Sequence, residues 1–299
     1  MKRIFYFNIT YGCNSNCVFC YSHNTRHNSE SYNEMLAEQF FQYLECQGIT
    51  SRDRVIINGG EPLLHTEIEK ILIGLIQYKC EVLIYTNGRL INNYDFTVLN
   101  KNFRFIVPIH GYETIHDRIT GVHGSYKETI KGLKYLVEGT ECLVDIKLIL
   151  NNRIISEDPI GKKVLQEFED TIVFNNAIHL TKMADTIISV RNNCQTIINE
   201  KASNFMQIFF DYFKDKNVKI KIFDTCIKNM SWLENKEVEK YKDSIEVYFK
   251  DKNQYRVMEL SKNLSGCRKN CPFIDKCISA VDEYKTLEYF EDKIYENLE

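Results

Sequence analysis

The chain has 299 residues, 44% hydrophobic and 26% charged, a globular composition with enough length for one large domain or a large and a small one. A net charge of −3 supplies no basic excess to recruit nucleic acid or an anionic membrane. Lys2 and Arg3 are followed by neither an apolar h-region nor a small-residue cleavage site, and no apolar run approaches the roughly 18–20 residues of a membrane span. The expectation is a cytoplasmic protein without membrane or nucleic-acid partners. Four prolines and abundant Ile, Asn, Lys and Tyr leave no low-complexity region. Eleven cysteines in a chain without an export signal argue against a disulfide framework, and their clustering reads as metal binding.

In chain order, strand-like segments fall at Arg3–Thr10, Arg54–Asn58, Glu81–Thr86, Phe103–Ile109, Leu143–Leu150 and Thr171–Leu180. Helical patterns lie between them. Capping boxes are expected at Ser31 with Glu34, Thr66 with Glu69, and Ser125 with Glu128. The helix from Glu67 to Tyr78 carries Ile68, Ile71, Leu72, Leu75 and Ile76 at helical spacing, one apolar stripe for a core. Alternating strand and crossover helix predicts an α/β fold with a parallel sheet, an open or partial (β/α)6 barrel of the TIM type. Its chemistry belongs at the carboxyl ends of the strands. Past about residue 200 come a helix at Ala202–Phe213, a strand at Val218–Phe223 and a hairpin of Ser244–Phe249 and Tyr255–Leu260. A cysteine cluster follows, and Asp282–Glu299 is expected as an acidic helix docked by one apolar stripe. The division drawn is residues 1–216 and 217–299. The first strand starts near residue 3, so no peptide-recognition domain is expected in front of it.

Cys13, Cys17 and Cys20 make a C-x3-C-x2-C run directly after the first strand. Three thiolates on one short loop can hold three corners of a 4Fe–4S cluster and leave one iron open. With His23 they could equally form a Cys3His zinc site, and the bland alternative is structural cysteines that happen to be close. After the second strand comes Gly59-Gly60-Glu61-Pro62. Two glycines at a strand end let backbone approach a ligand closely, and the carboxylate can pair with an ammonium group.

Together these two loops resemble the radical S-adenosylmethionine (SAM) superfamily. Thr86-Asn87-Gly88 at the third strand end is similar to that family's Thr-Asn-Gly element. Pro108-Ile109-His110-Gly111, with the loop from His116 through Arg118 to Tyr126, is similar to its fourth strand and following loop. The chain departs from the family pattern at His110, where Ser or Asp is common, and at Thr120, where Arg is common; Arg118 is a substitute for the latter. The resemblance implies a SAM-binding 4Fe–4S cluster on Cys13, Cys17 and Cys20. It places SAM against Gly59, Gly60, Glu61, Pro62, Thr86, Asn87, His110 and Arg118, with Phe19 packing beside cluster or adenine. It further implies reductive cleavage of SAM to a 5′-deoxyadenosyl radical that abstracts hydrogen from a substrate.

A second cluster, Cys267, Cys271 and Cys277 with Cys226 upstream, is a full ligand set for a closed site, of zinc or of iron and sulfide. Its layout resembles the SPASM or twitch tails of radical SAM enzymes and implies a small C-terminal Cys-rich domain with one auxiliary 4Fe–4S cluster. Cys46, Cys80 and Cys142 read as small buried hydrophobes, and Cys194 is a rival to Cys226 as fourth ligand. Lys147, His179 and Lys182 lie near strand ends, where parity decides whether they face the barrel mouth, and none is assigned as acid or base.

The resemblance implies a precursor peptide as substrate, modified by cross-linking, epimerisation or oxidation. A flavodoxin- or ferredoxin-type electron donor and a separate leader-binding protein would be partners. A small-molecule radical SAM oxidoreductase and a non-enzymatic zinc module are the alternatives.

Overall fold

Strand β1 (Ile4–Thr10) is β-branched or aromatic at nearly every position and lies mid-sheet, buried on both faces as a central parallel strand must be. In this computed structural model, residues 3–20, 34–158, 161–171, 177–182, 191–192, 194, 199–213, 219–223, 244–251, 254–261 and 283–286 are described. After β1 come α1 (Ala37–Cys46), β2 (Arg54–Gly59), α2 (Ile68–Leu75), β3 (Glu81–Tyr85) and, past a 3-10 turn at Ile91–Asn93 in place of a helix, β4 (Phe103–Pro108). It continues as α3 (Glu113–Thr120), α4 (Ser125–Gly139), β5 (Leu143–Leu150), α5 (Asn152–Glu157), α6 (Lys162–Thr171), β6 (Ala177–Lys182) and α7 (Asn199–Phe213). Strands β7 (Lys219–Phe223), β8 (Ser244–Asp251), β9 (Gln254–Ser261) and β10 (Glu283–Thr286) follow.

The sheet order is β10-β9-β8-β1-β2-β3-β4-β5-β6-β7. The six expected parallel strands stand in sequence order, each crossover helix returning the chain to the next strand start. Two further strands extend them. β7, placed by the sequence just past residue 216, pairs parallel with β6, and β8 pairs parallel with β1 at the other side. The hairpin β8–β9 and then β10 are antiparallel additions.

The two sheet faces differ. Phe5, Phe7, Ile9, Val55, Ile57, Val82, Ile84, Phe103, Phe105 and Val107 pack with the helices in the main core. Ile4, Ile56, Leu83 and Ile106 form a smaller cluster on the inner face, flanked by half-buried Tyr6 and Tyr85. The predicted stripe of α2 is confirmed at Ile68, Ile71, Leu72 and Leu75, while Ile76 begins a 3-10 turn and is half-buried.

Four expectations are corrected. The Thr66 capping box does not form, because its hydroxyl donates to Glu34 Oε2 at 2.6 Å and Glu67 is the N-cap of α2. Nor does the one at Ser125: Gly124 is the N-cap of α4, and Ser125 Oγ donates to Asp117 Oδ1 at 2.9 Å. Thr171 closes α6 and β6 starts only at Ala177, so the apolar run after Thr171 misled the strand assignment. Glu283–Thr286 is a strand, not part of a closing helix, since it pairs with β9. Ser31 and the remainder of the closing segment lie outside the described residues.

Candidate active site

Parallel strands bring the loops that follow them to one edge of the sheet. The loop after β1 carries Cys13, Cys17 and Cys20, all half-buried, and it is held from three sides. From the β2 side, the Gly60 N–H donates to the Thr10 carbonyl at 2.8 Å and the Glu61 N–H to the Gly12 carbonyl at 2.7 Å. A Cβ on Gly59 would lie 2.3 Å from the Thr10 oxygen, and one on Gly60 2.2 Å from the Gly12 oxygen. Only glycine permits that contact. The close approach expected toward a ligand is thus made here to the backbone of the cysteine loop.

From β3, Asn87 Nδ2 donates to Asn14 Oδ1 at 2.6 Å, and the Arg89 guanidinium donates to the Asn14 carbonyl while pairing with Glu128 at 2.6 Å. From α3, the Thr120 carbonyl accepts the Asn16 N–H at 2.8 Å and the Ile119 carbonyl accepts that of Val18 at 2.9 Å. Asn14 and Arg89 were missed in the sequence; the signal available was an arginine directly after Thr-Asn-Gly. Asp117 was missed too. It accepts the Gly124 and Tyr126 N–H groups at 2.6 and 2.8 Å and so supplies the anion at the start of α4. Burial opposes its ionisation, but these bonds outweigh that and hold its carboxyl low.

Glu61 is fully buried. Its Oε1 accepts from Thr86 Oγ1 at 2.6 Å and from the Leu63 N–H at 3.0 Å, and its Oε2 from the Asn87 N–H at 2.7 Å. Burial pushes its carboxyl up, against the pull of these three donors. The carboxylate therefore binds the Thr86–Asn87 turn to the Gly-Gly loop. Pro62 opens the 3-10 turn that follows.

Phe19 meets the His110 ring edge-on at 5.2 Å, and His110 stacks on His116 at 5.5 Å. The His110 N–H donates to His116 Nδ1 at 3.2 Å, whereas His110 Nδ1 is buried with no partner among the described residues. Burial, with His116 and Lys147 nearby, holds His110 well below the ordinary imidazole range, so its ring is neutral. Arg118 lies apart from this group; its guanidinium is half exposed and paired with Glu157. Lys147 Nζ sits over the Tyr85 ring at 5.4 Å, and His179 is buried with Nε2 2.8 Å from Asp145 Oδ2.

Cys80 and Cys142 are buried as expected, each thiol pushed up to about 11 by burial. Cys46 is exposed, a correction: it ends α1 on the solvent side. Cys194 is buried. His23, Cys226, Cys267, Cys271, Cys277 and the Lys182 side chain lie outside the described residues.

Among the described residues, no three His, Cys, Asp or Glu side chains converge on one metal ion. A cluster asks for something else, one thiolate on each of three separate irons, and three half-buried thiols on a loop fixed from three sides fit that donor set. No described helix is long and apolar enough to cross a membrane.

Strand-end loops of a parallel α/β sheet that assemble three thiols, a glycine contact and a buried histidine define a partial (β/α)-barrel protein with its candidate centre at the carboxyl ends of the strands. The family follows from comparison: residues 7–149 match the Radical SAM superfamily, and this part of the chain is a radical SAM domain. It is 26% identical over 137 residues to the AdoMet-dependent heme synthase of Methanosarcina barkeri, covering 45% of this chain and 39% of that protein. It is 25% identical over 135 residues to the sporulation killing factor maturation protein SkfB of Bacillus subtilis, covering 44% and 32%. The matches thus span well under two thirds of these relatives' own length. Among solved structures, Streptococcus suis SuiB bound to S-adenosylmethionine superposes with a TM-score of 0.59 at 16% identity, over 79% of this chain and 54% of SuiB. That likeness is one of fold.

Proposed function

We propose that the protein is a radical SAM enzyme in which Cys13, Cys17 and Cys20 hold a 4Fe–4S cluster and SAM binds beside it. When bound and reduced, that pair supplies hydrogen-atom abstraction from an unactivated C–H bond. The observation that carries the reading is the mutual fastening of three strand-end loops around three half-buried thiols. The protein's own part is orientation and exclusion of water. Gly59 and Gly60 let the second loop lie against the first, Glu61 locks the Thr86–Asn87 turn to it, and Pro62 fixes the loop's exit. Half-buried Phe19 packs edge-on against the buried His110 ring, which supports the cysteine loop from the β4 side.

The substrate we infer is a peptide matured by cross-linking, epimerisation or oxidation. Support comes from the relatives: SkfB is a maturation protein by name, and SuiB has been solved bound to the precursor peptide SuiA. A small-molecule substrate is the second reading, favoured by the similarity to a heme synthase. Cys226, Cys267, Cys271 and Cys277 are proposed as ligands of an auxiliary 4Fe–4S cluster, with a flavodoxin- or ferredoxin-type donor and a separate leader-binding protein as partners. Anaerobically purified protein given SAM and dithionite should form 5′-deoxyadenosine, and the Cys13/Cys17/Cys20→Ala triple variant should form none. Equal production by both would overturn the assignment.

A further inference from the structure

The peptide unit joining Asn14 to Ser15 follows Cys13 by one residue, and both of its polar ends are engaged. Its N–H, the backbone amide of Ser15, donates to Cys13 Sγ at 3.5 Å. Its carbonyl, that of Asn14, accepts from the Arg89 guanidinium. A trans peptide holds these two groups on opposite sides of one plane, so a cation fixed on the oxygen also fixes where the N–H points. The cation polarises the unit as well, which makes the N–H a stronger donor. Arg89 is held in turn. The same guanidinium nitrogen reaches Ser15 Oγ at 3.3 Å, the Arg89 backbone N–H donates to Asn87 Oδ1 at 3.1 Å, and Nε pairs with Glu128 at 2.6 Å. Fastening the loop does not call for a charge, since Asn87 Nδ2 already grips Asn14 Oδ1 at 2.6 Å and lies 3.3 Å from Ser15 Oγ. Nor does Glu128 cancel the charge. The arginine side chain is 12% exposed and the glutamate 51%, so water screens the acid more than the cation.

We propose that Arg89 is a positioning residue that sets the reduction potential of the cluster on Cys13, Cys17 and Cys20, acting through the Asn14–Ser15 peptide. An electron added to an iron–sulfur cluster resides partly on its thiolate ligands, so an N–H donor at a ligand sulfur is worth more after reduction. A donor aimed at Cys13 Sγ, with a cation behind it, therefore favours the reduced form and makes the potential less negative. The electron itself comes from a flavodoxin- or ferredoxin-type donor; Arg89 changes only how readily it is accepted. The proposal rests on the reading of the three cysteines as cluster ligands, and it adds a residue outside the ligand set that decides their redox poise.

A redox titration of the reconstituted full chain with dithionite, without SAM, tests it, read by the EPR signal that the Cys13/Cys17/Cys20→Ala variant lacks. In Arg89→Met the ratio of reduced to oxidised cluster at a fixed potential should fall about tenfold, which for one electron is a midpoint about 59 mV more negative. Arg89→Lys keeps the charge and should recover most of that shift. Glu128→Gln should move the midpoint the other way, by about twofold or more in the same ratio, because the arginine loses its counter-charge. A latch that only holds the loop predicts otherwise, since Arg89→Met and Glu128→Gln would both loosen it. An unmoved midpoint in Arg89→Met, a lysine variant shifted as far as the methionine one, or a Glu128→Gln midpoint that stays put or turns more negative would each overturn the proposal. If Arg89→Met holds no iron, the sign of the Glu128→Gln shift decides. A wild-type signal that survives the triple cysteine substitution would overturn the cluster reading and the proposal together. A signal that depends on the three cysteines but ignores Arg89 overturns the proposal alone, so the two failures are told apart.

Discussion

Glu61 answers three donors from a fully buried position, and its removal would strand the Thr86 hydroxyl and the Asn87 and Leu63 amides. Glu61→Ala should therefore cost about 2–4 kcal/mol of stability, read as a lower urea midpoint at constant slope. SAM affinity should fall on the order of tenfold or more as the Gly-Gly loop loosens, with iron content unchanged. An unchanged midpoint would show that the carboxylate is no latch. Histidine sets a second test. Burial pushes His116 from the ordinary 6.5 down to about 4. Between those values the unfolded chain binds a proton that the folded chain refuses, so stability is lost as pH falls from about 6.5 toward 4. His65 and His110 are depressed in the same direction by burial, and they add to the slope. Melting temperature should decline on acidification from near pH 6.5, less steeply in His116→Asn, whose amide oxygen can replace the acceptor of the His110 N–H. A parallel pH profile in that variant would refute the assignment.

At the level of elements, β1 to β5 were legible almost to the residue, because a continuous apolar run bounded by polar turns has few other readings at that length. The motif loops were legible too, but what they touch was not. The Gly-Gly pair reads as a ligand cradle in sequence, and only the register of β1 against β2 shows its Cβ positions filled by the Thr10 and Gly12 carbonyls. Capping boxes failed for a related reason: their hydroxyls found tertiary partners, Glu34 for Thr66 and Asp117 for Ser125. This fastening predicts an observable. The amides of Asn16, Val18, Gly60 and Glu61 lie outside helices and mid-strand positions yet donate to backbone carbonyls at 2.7–2.9 Å. They should exchange with deuterium far more slowly than other loop amides, even in protein without cluster or SAM. Exchange at free-loop rates would mean that the cysteine loop is not preformed.

Across the whole molecule, the sheet sets where the tail cysteines can go. Cys226 comes three residues after β7 in the chain, and β7 is the edge strand that pairs with β6. Cys267, Cys271 and Cys277 come between β9 and β10 in the chain; those two strands stand at the opposite edge, and Leu260 of β9 pairs with Ser244, where β8 begins. β9 therefore ends at the side of the sheet away from the barrel loops. Eight strand residues span about 26 Å, whereas the six residues from Ser261 to Cys267 reach at most about 20 Å. Pairing such as β8 on β1 joins residues some 240 apart and leaves no local trace in sequence, so this constraint could not be read there. The Cys267/Cys271/Cys277→Ala variant should lose about four irons per chain, half of the total for two four-iron clusters, and still make some 5′-deoxyadenosine. Substrate conversion should be lost. Retention of all iron would return the tail to a zinc or structural site. Cys226→Ala tests the fourth ligand: the same loss of iron assigns it to the cluster and requires the sheet edges to curl together, while full iron excludes it.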